Sequence, residues 1–167
     1  MSPGLLEELA EDLGILARRQ SDRVKALYHP QMLAVYASHL TPEEAASLAE
    51  FYRTDIARRL MSRTIDKIGG AEDILFARPN GQPVLQEQVR AEIGKVARNV
   101  AENLDGDDLA EMTRQVRARP ALRKLKAMRP QLEAIRAAMQ NEPRNDAENT
   151  AMVAVLEAVF DRRFFAQ

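Results

Sequence analysis

The run HLTPEEAASLAEFYRTDIARRLMSR, residues 39–63, decides how the chain is read. Thr41 can cap a helix, Pro42 suits its first turn, and Glu44 completes a capping box three residues on. Leu48, Tyr52, Ile56 and Leu60 then recur every fourth residue, with Phe51 widening the apolar face. That period is helical. Arg53, Arg58, Arg59, Arg63 and Lys67 lie mostly off it, and Gly69-Gly70 is the expected stop.

The same period extends in both directions. Upstream, Leu5, Leu9, Leu13, Leu16, Gln20, Val24 and Leu27 form one stripe, with a stop expected at Pro30 after His29. A separate short helix is expected next, with Met32 or Leu33, Tyr36 and Leu40 inward. Downstream, Pro79-Asn80-Gly81 and Pro83 mark a connector over residues 71–83. Helix returns from about Val84 to Leu104 and stops near Asp105-Gly106. Asp105 and Asp108 form a second capping arrangement, and Leu109, Met112 and Val116 carry the following stripe to Arg119-Pro120. Leu122, Leu125, Met128, Leu132, Ile135 and Met139 share one side of the next helix, where Pro130 predicts a kink or break. After NEPRND, the last helix places Met152, Val155, Leu156, Val159 and Phe160 inward and ends in Phe164-Phe165.

Composition agrees with an all-helical chain. The apolar share of 46% leans on alanine, Trp is absent and aromatics are few, which favours helices over sheet. We therefore expect an all-α fold: one helical domain over residues 1–167, a bundle of about six to eight helices. Sliding the chain by 64 places sets Leu40 on Leu104, Glu43-Glu44 on Asp107-Asp108, Leu48 on Met112 and Arg53 on Arg117. One inserted residue later, Arg58–Leu60 falls on Arg123–Leu125. This predicts two related halves, residues 30–68 and 94–132.

The stretch LTPEEAASLAEFYRTDIARRL resembles the repeated core of the bacterial family called domain of unknown function 2059. Members show a Thr-x-x-Glu helix start, an apolar step, a Phe-Tyr pair, a small-Pro-x-Gly turn and a basic residue. Thr41, Glu44, Leu48, Phe51, Tyr52, Thr54 and Arg59 match that pattern. Asp55 stands where the family has Pro and Ala57 where it has Gly, so a helix running straight through the relatives' bend is expected. The resemblance implies an all-helical fold, with many members exported, and lends no catalytic residues.

Several functions are excluded or left unsupported. With no cysteine there is no disulfide, thiol catalysis or Cys-ligated metal. His39 and Glu43 are four apart, but Thr41-Pro42 interrupts them, and His29 and His39 read as helix-terminal residues; no metal and no cofactor is expected. Ser38 and Ser47 lack a nucleophile elbow, and the glycines form no phosphate loop. Asp105, Asp107, Asp108 and Glu111 lack EF-hand spacing and suit a helix N-terminus. A net charge of -1 gives no global field toward polyanions. Arg119, Arg123 and Lys126 form a local basic patch, yet no aromatic residue or helix-turn-helix accompanies them, so no nucleic-acid partner is expected. No run is long enough for a membrane span. Glu7, Glu8, Glu11 and Asp12 interrupt any signal-peptide core; the sequence assigns no compartment, periplasmic if a leader was removed and otherwise cytoplasmic.

The expectation is therefore a non-enzymatic interaction or scaffold module whose partner is a protein, including a second copy in a homodimer. Leu5, Leu9, Leu13, Phe164 and Phe165 are its candidate interface. The alternative is a small apolar ligand or lipid held between helices, with Phe51 and Tyr52 lining the cavity.

Overall fold

The computed structural model describes the backbone of residues 3–68 and 82–164, and the side chains of residues 10–64 and 82–161. Among the described residues there are seven helices and no strand, so the chain is all-α. They are α1 (Pro3–His39), α2 (Pro42–Tyr52), α3 (Asp55–Ile68), α4 (Gln86–Glu102), α5 (Gly106–Ala118), α6 (Pro120–Asn141) and α7 (Asp146–Phe164). None of these helices is long and apolar enough to cross a membrane. The Gly69-Gly70 stop and residues 71–81 of the connector lie outside the described residues, while residues 82–85 are non-helical.

The chain forms two compact units. In the larger, His29–Asn141, helices α3 and α6 are central, and each packs against α2, α4 and α5. The main core joins Val35 and Leu40 to Leu48 of α2 and to Ala121 and Met128 of α6, and Met128 is wholly inaccessible. A second cluster joins Phe51, Ile56 and Ala57, with Leu60 and Met112 packed on it. Leu122 touches both clusters and makes them one interior. At the far end of α6, the Asn141 amide accepts from Val84 N and donates to Val84 O, each at 2.7 Å. This pairs the backbone that enters α4 with a side chain of α6. The smaller unit, Met1–Tyr28 with Glu142–Gln167, buries Val24 and Val159.

Pro30 does not stop the first helix. It lies inside α1, so the expected short helix is the continuation of α1, and His29 is mid-helical. A proline removes one backbone donor and biases its predecessor, but that cost is local. Val24 before it and Val35 after it are both buried, and their packing favours continuous helix. Pro130 likewise sits within an unbroken α6.

The opposite correction applies at residues 53–54, where a straight helix was expected and the chain bends. Thr54 produces the bend. Its backbone N–H and its Oγ1 both donate to Phe51 O, at 2.9 and 2.6 Å, and Arg53 N donates to Glu50 O. Oγ1 also accepts from Ala57 N at 3.4 Å. A threonine hydroxyl that satisfies the end of one helix and the start of the next replaces the continuous ladder. Asp55 then begins α3, and Ala57 is 2% exposed at the position where the family has Gly. The turn survives without the proline.

Most stripe residues face inward, with exceptions. Leu27, Tyr52, Leu109 and Phe160 were expected inside, yet all are 42% exposed or more, and of the pair Met32 or Leu33 it is Met32 that is half-buried. The bend at Thr54 explains Tyr52, because a turn separates it from Ile56 and Leu60. The other three lie at the margins of their stripes, where a helix with few neighbours leaves an edge uncovered.

Because Phe51 is 5% exposed inside a closed cluster, Phe51→Ala should destabilise the fold by about 3–5 kcal/mol. Leu109→Ala, at a position half exposed, should cost only about 0.5 kcal/mol. Urea melts of the two variants test the contrast, and equal midpoints would contradict this core.

Candidate functional site

Carboxylates at helix starts recur as anchoring points. Thr41 caps α2: Glu44 N donates to Thr41 Oγ1 at 3.3 Å, and Thr41 N donates to Glu44 Oε2 at 2.9 Å. Asp105 caps α5 by accepting from Asp108 N at 2.7 Å. Asn145 precedes α7 in the same way, exchanging bonds with Glu148 at 2.8 and 3.0 Å. In all three the third helical residue is acidic, as a favourable N-terminal field requires.

Each of these acids also receives a cation from a distant part of the sequence. Lys124 Nζ lies 2.7 Å from Glu44 Oε2 and also donates to His39 O. Arg59 and Arg63 hold the two oxygens of Asp108 at 2.6 and 3.1 Å, and Arg63 donates to Asn103 O as well. Arg23 Nε donates to Glu148 at 2.7 Å, and its Nη atoms reach Glu142 and Pro143 O. Tyr28 completes this last group by donating to Glu142 at 2.8 Å. The lysine or arginine hydrogen bond is the main cause that holds Glu44, Asp108 and Glu148 below the usual carboxylate range.

Glu133 is a different case. It is 1% exposed within α6 and accepts from Arg90 of α4 at 2.9 Å and Arg129 of α6 at 2.7 Å. Burial pushes its carboxyl upward, and the two guanidiniums more than offset that, leaving it lowered. A buried carboxylate with one arginine on each oxygen stays ionised because both lone-pair sides are served.

The expected site residues are dispersed. Phe51 is enclosed by Ile56, Ala57 and their neighbours, and Tyr52 lies edge-on to it, ring centres 5.5 Å apart. Partial burial pushes the Tyr52 phenol up, with Tyr36 contributing. Arg119 donates to Gln115, while Arg123 and Lys126 are exposed. Leu13 is half-buried. The side chains of Leu5, Leu9 and Phe164, and the whole of Phe165, lie outside the described residues. Among the described residues no three His, Asp or Glu side chains converge to hold a metal.

Sequence reasoning missed two groups. One is the Asn145-x-x-Glu148 box, which has the same spacing as Thr41-x-x-Glu44 and was readable. The other is Glu133, whose signal was its isolation as the single acid in the basic run from Arg114 to Arg136. A lone acid among cations, four residues after Arg129, is placed to be shared.

The lowered carboxylates fix the sign of the pH response. A group whose folded pKa lies below its unfolded value stabilises the fold above the unfolded pKa, and that contribution is lost as pH falls through the folded pKa. Glu44, Asp108, Glu133 and Glu148 all shift this way. The melting temperature should therefore be level near neutrality and decline below roughly pH 4–5. A calorimetric series that stays flat down to about pH 3 would contradict this arrangement.

No curated protein and no solved structure matches the chain. Residues 29–72 match the family model described as "Uncharacterized protein conserved in bacteria (DUF2059)", and this segment contains the Thr41–Glu44 start, the Phe51-Tyr52 pair and the Thr54 turn on which the resemblance rests.

Proposed function

We propose that the protein is a non-catalytic helical interaction module whose partner is another protein, in the first instance a second copy of itself. The observation that carries this is the character of α7. Its apolar side chains surround the helix instead of forming one stripe: Val159 is 1% exposed, Met152, Val155 and Leu156 are half-buried, and Val153 and Phe160 are 50% and 53% exposed. Val153 and Phe160 are seven residues apart and so share a face. A helix that is apolar all round belongs in an interior or against a partner.

The ionisable groups favour the same reading. A general acid or base working near neutrality needs a carboxyl raised toward that pH. The shifted carboxyls among the described residues are all lowered, Glu44, Asp108, Glu133 and Glu148 by cations and Glu43 by hydrogen bonds at its helix start, which suits holding helices together more than transferring protons.

Sedimentation velocity over a concentration series is the test. The wild-type chain should show a monomer–dimer equilibrium, and Val153→Gln with Phe160→Gln should shift it toward monomer without lowering the melting temperature. A wild-type protein that stays monomeric at every concentration would overturn self-association. Native mass spectrometry for a retained apolar ligand would then examine the alternative reading.

A further inference from the structure

The arginines that hold Glu133 have hydrogen-bonding capacity left over. Glu133 Oε1 takes Arg129 Nε and Oε2 takes Arg90 Nε. Each guanidinium thus spends one of its five N–H donors. Among the described residues, neither arginine makes another hydrogen bond. Their side chains are 54% and 47% exposed while the carboxylate between them is 1% exposed. The anion lies at the base and the unspent donors face solvent.

This differs from the other acid–cation groups. At Asp108, Arg63 also spends a donor on Asn103 O, and Asp105 and Asp107 stand beside the site in sequence. At Glu148, the Nη atoms of Arg23 are engaged by Glu142 and Pro143. Lys124 is divided between Glu44 and His39 O. Around Glu133 the α6 side is cationic instead, and the acid on the α4 side is the exposed Glu87, one turn before Arg90. Lys126 lies one turn before Arg129 on α6, Arg123 one turn earlier again, and both are exposed. Neither forms an ion pair among the described residues. Arg90, Arg129 and Lys126 against Glu133 and Glu87 leave one positive charge in excess, the sign an oxyanion requires.

We infer that the exposed edges of Arg90 and Arg129, joined by Lys126, form a binding site for a phosphate-class oxyanion, with Glu133 as the positioning residue that orients the two guanidiniums. Planar arginine forks match the paired oxygens of phosphate, and a lysine adds a point charge. Orientation by a buried acceptor removes part of the ordering cost that flexible surface arginines would carry on binding. The shared chemistry is the phosphate group, whether free in solution or on a lipid headgroup.

The test follows the arginine side-chain Nε–Hε signals in an NMR titration with inorganic phosphate at constant ionic strength, with chloride as control. Saturable shifts at Arg90 and Arg129 are expected. Arg129→Lys keeps the charge and the partner of Glu133 but removes the fork, and should weaken binding about tenfold. Glu133→Gln separates positioning from plain electrostatics. Removing a negative charge should tighten anion binding if field alone operates, whereas loss of positioning should weaken it about tenfold despite the more positive charge. Melting curves confirm that each variant is folded, and Arg114→Lys, away from the site, should bind like the wild type. Flotation with phosphatidylcholine vesicles, with and without phosphatidylglycerol, identifies the source. Retention only on anionic vesicles, abolished by Arg129→Lys, assigns the headgroup, and saturable binding of inorganic phosphate assigns the free anion. Absence of both, or tighter phosphate binding by a folded Glu133→Gln, would overturn the inference.

Discussion

An acidic residue at the third position of a helix has two obligations in this chain. It answers the unsatisfied N–H groups and positive end of its own helix, and it receives a cation from elsewhere in the sequence. Glu44 meets Lys124, Asp108 meets Arg59 and Arg63, and Glu148 meets Arg23. The local signal that begins the helix is thereby the point at which a remote helix is held. Few aromatics and no Trp limit how much directional packing the interior can supply, so these ionic contacts specify which helix lies where. Surface ion pairs alone contribute little. At Glu44 and Glu148 their weight comes from joining the capping box to the tertiary contact, so that neither forms well without the other; Asp108 gives both oxygens to its arginines while Asp105 caps its backbone N–H.

Helix α6 faces a harder constraint, because it must bury different sides at its two ends. Met128 is closed in the core with Val35, Leu40 and Leu48, while Glu133 points to Arg90 of α4. Five residues separate them, about 140° around a helix. Pro130 lies between the two, and its carbonyl accepts from the Gln86 side chain at 2.8 Å. A helix with one apolar stripe could not serve both ends. The stripe read from sequence, Leu122 through Met139, describes the first role and is silent on the second.

This explains what was legible and what was not. The Thr41-x-x-Glu44 capping box and the Asp105 cap at Asp108 could be read because a cap is local: its residues, spacing and capping bonds all lie within four positions. The outcomes at Pro30 and Thr54 were unreadable for a related reason. Each was a contest between a local preference and packing, and the winner differed. At Pro30, buried residues on both sides favoured continuity. At Thr54, a hydroxyl satisfied the backbone groups that a bend would otherwise strand, and Ala57 is small enough to be buried just beyond it. For Glu133 the local pairing with Arg129 was within reach, but its second partner Arg90 lies 43 residues away, and no periodicity within α6 announces it.

The placement of cations bears on the duplicated-half reading as well. Glu44 and Asp108 are 64 residues apart, as are the caps Thr41 and Asp105, and each acid is bound by a cation across the larger unit. In packing, α2 lies against α3 and α6, and α5 lies against α6 and α3. Glu44 is thus held from the second segment, and Asp108 from the first. The two acids differ in how much positive charge they engage. Asp108 occupies two arginines, whereas Glu44 occupies one lysine. On α6, Arg129 is drawn to Glu133 and Lys124 to Glu44, while Arg123 and Lys126 remain exposed. The basic ridge read from sequence is thus divided by the fold: part of it holds helices together, and the remainder concentrates positive charge beside a pair of oriented arginines.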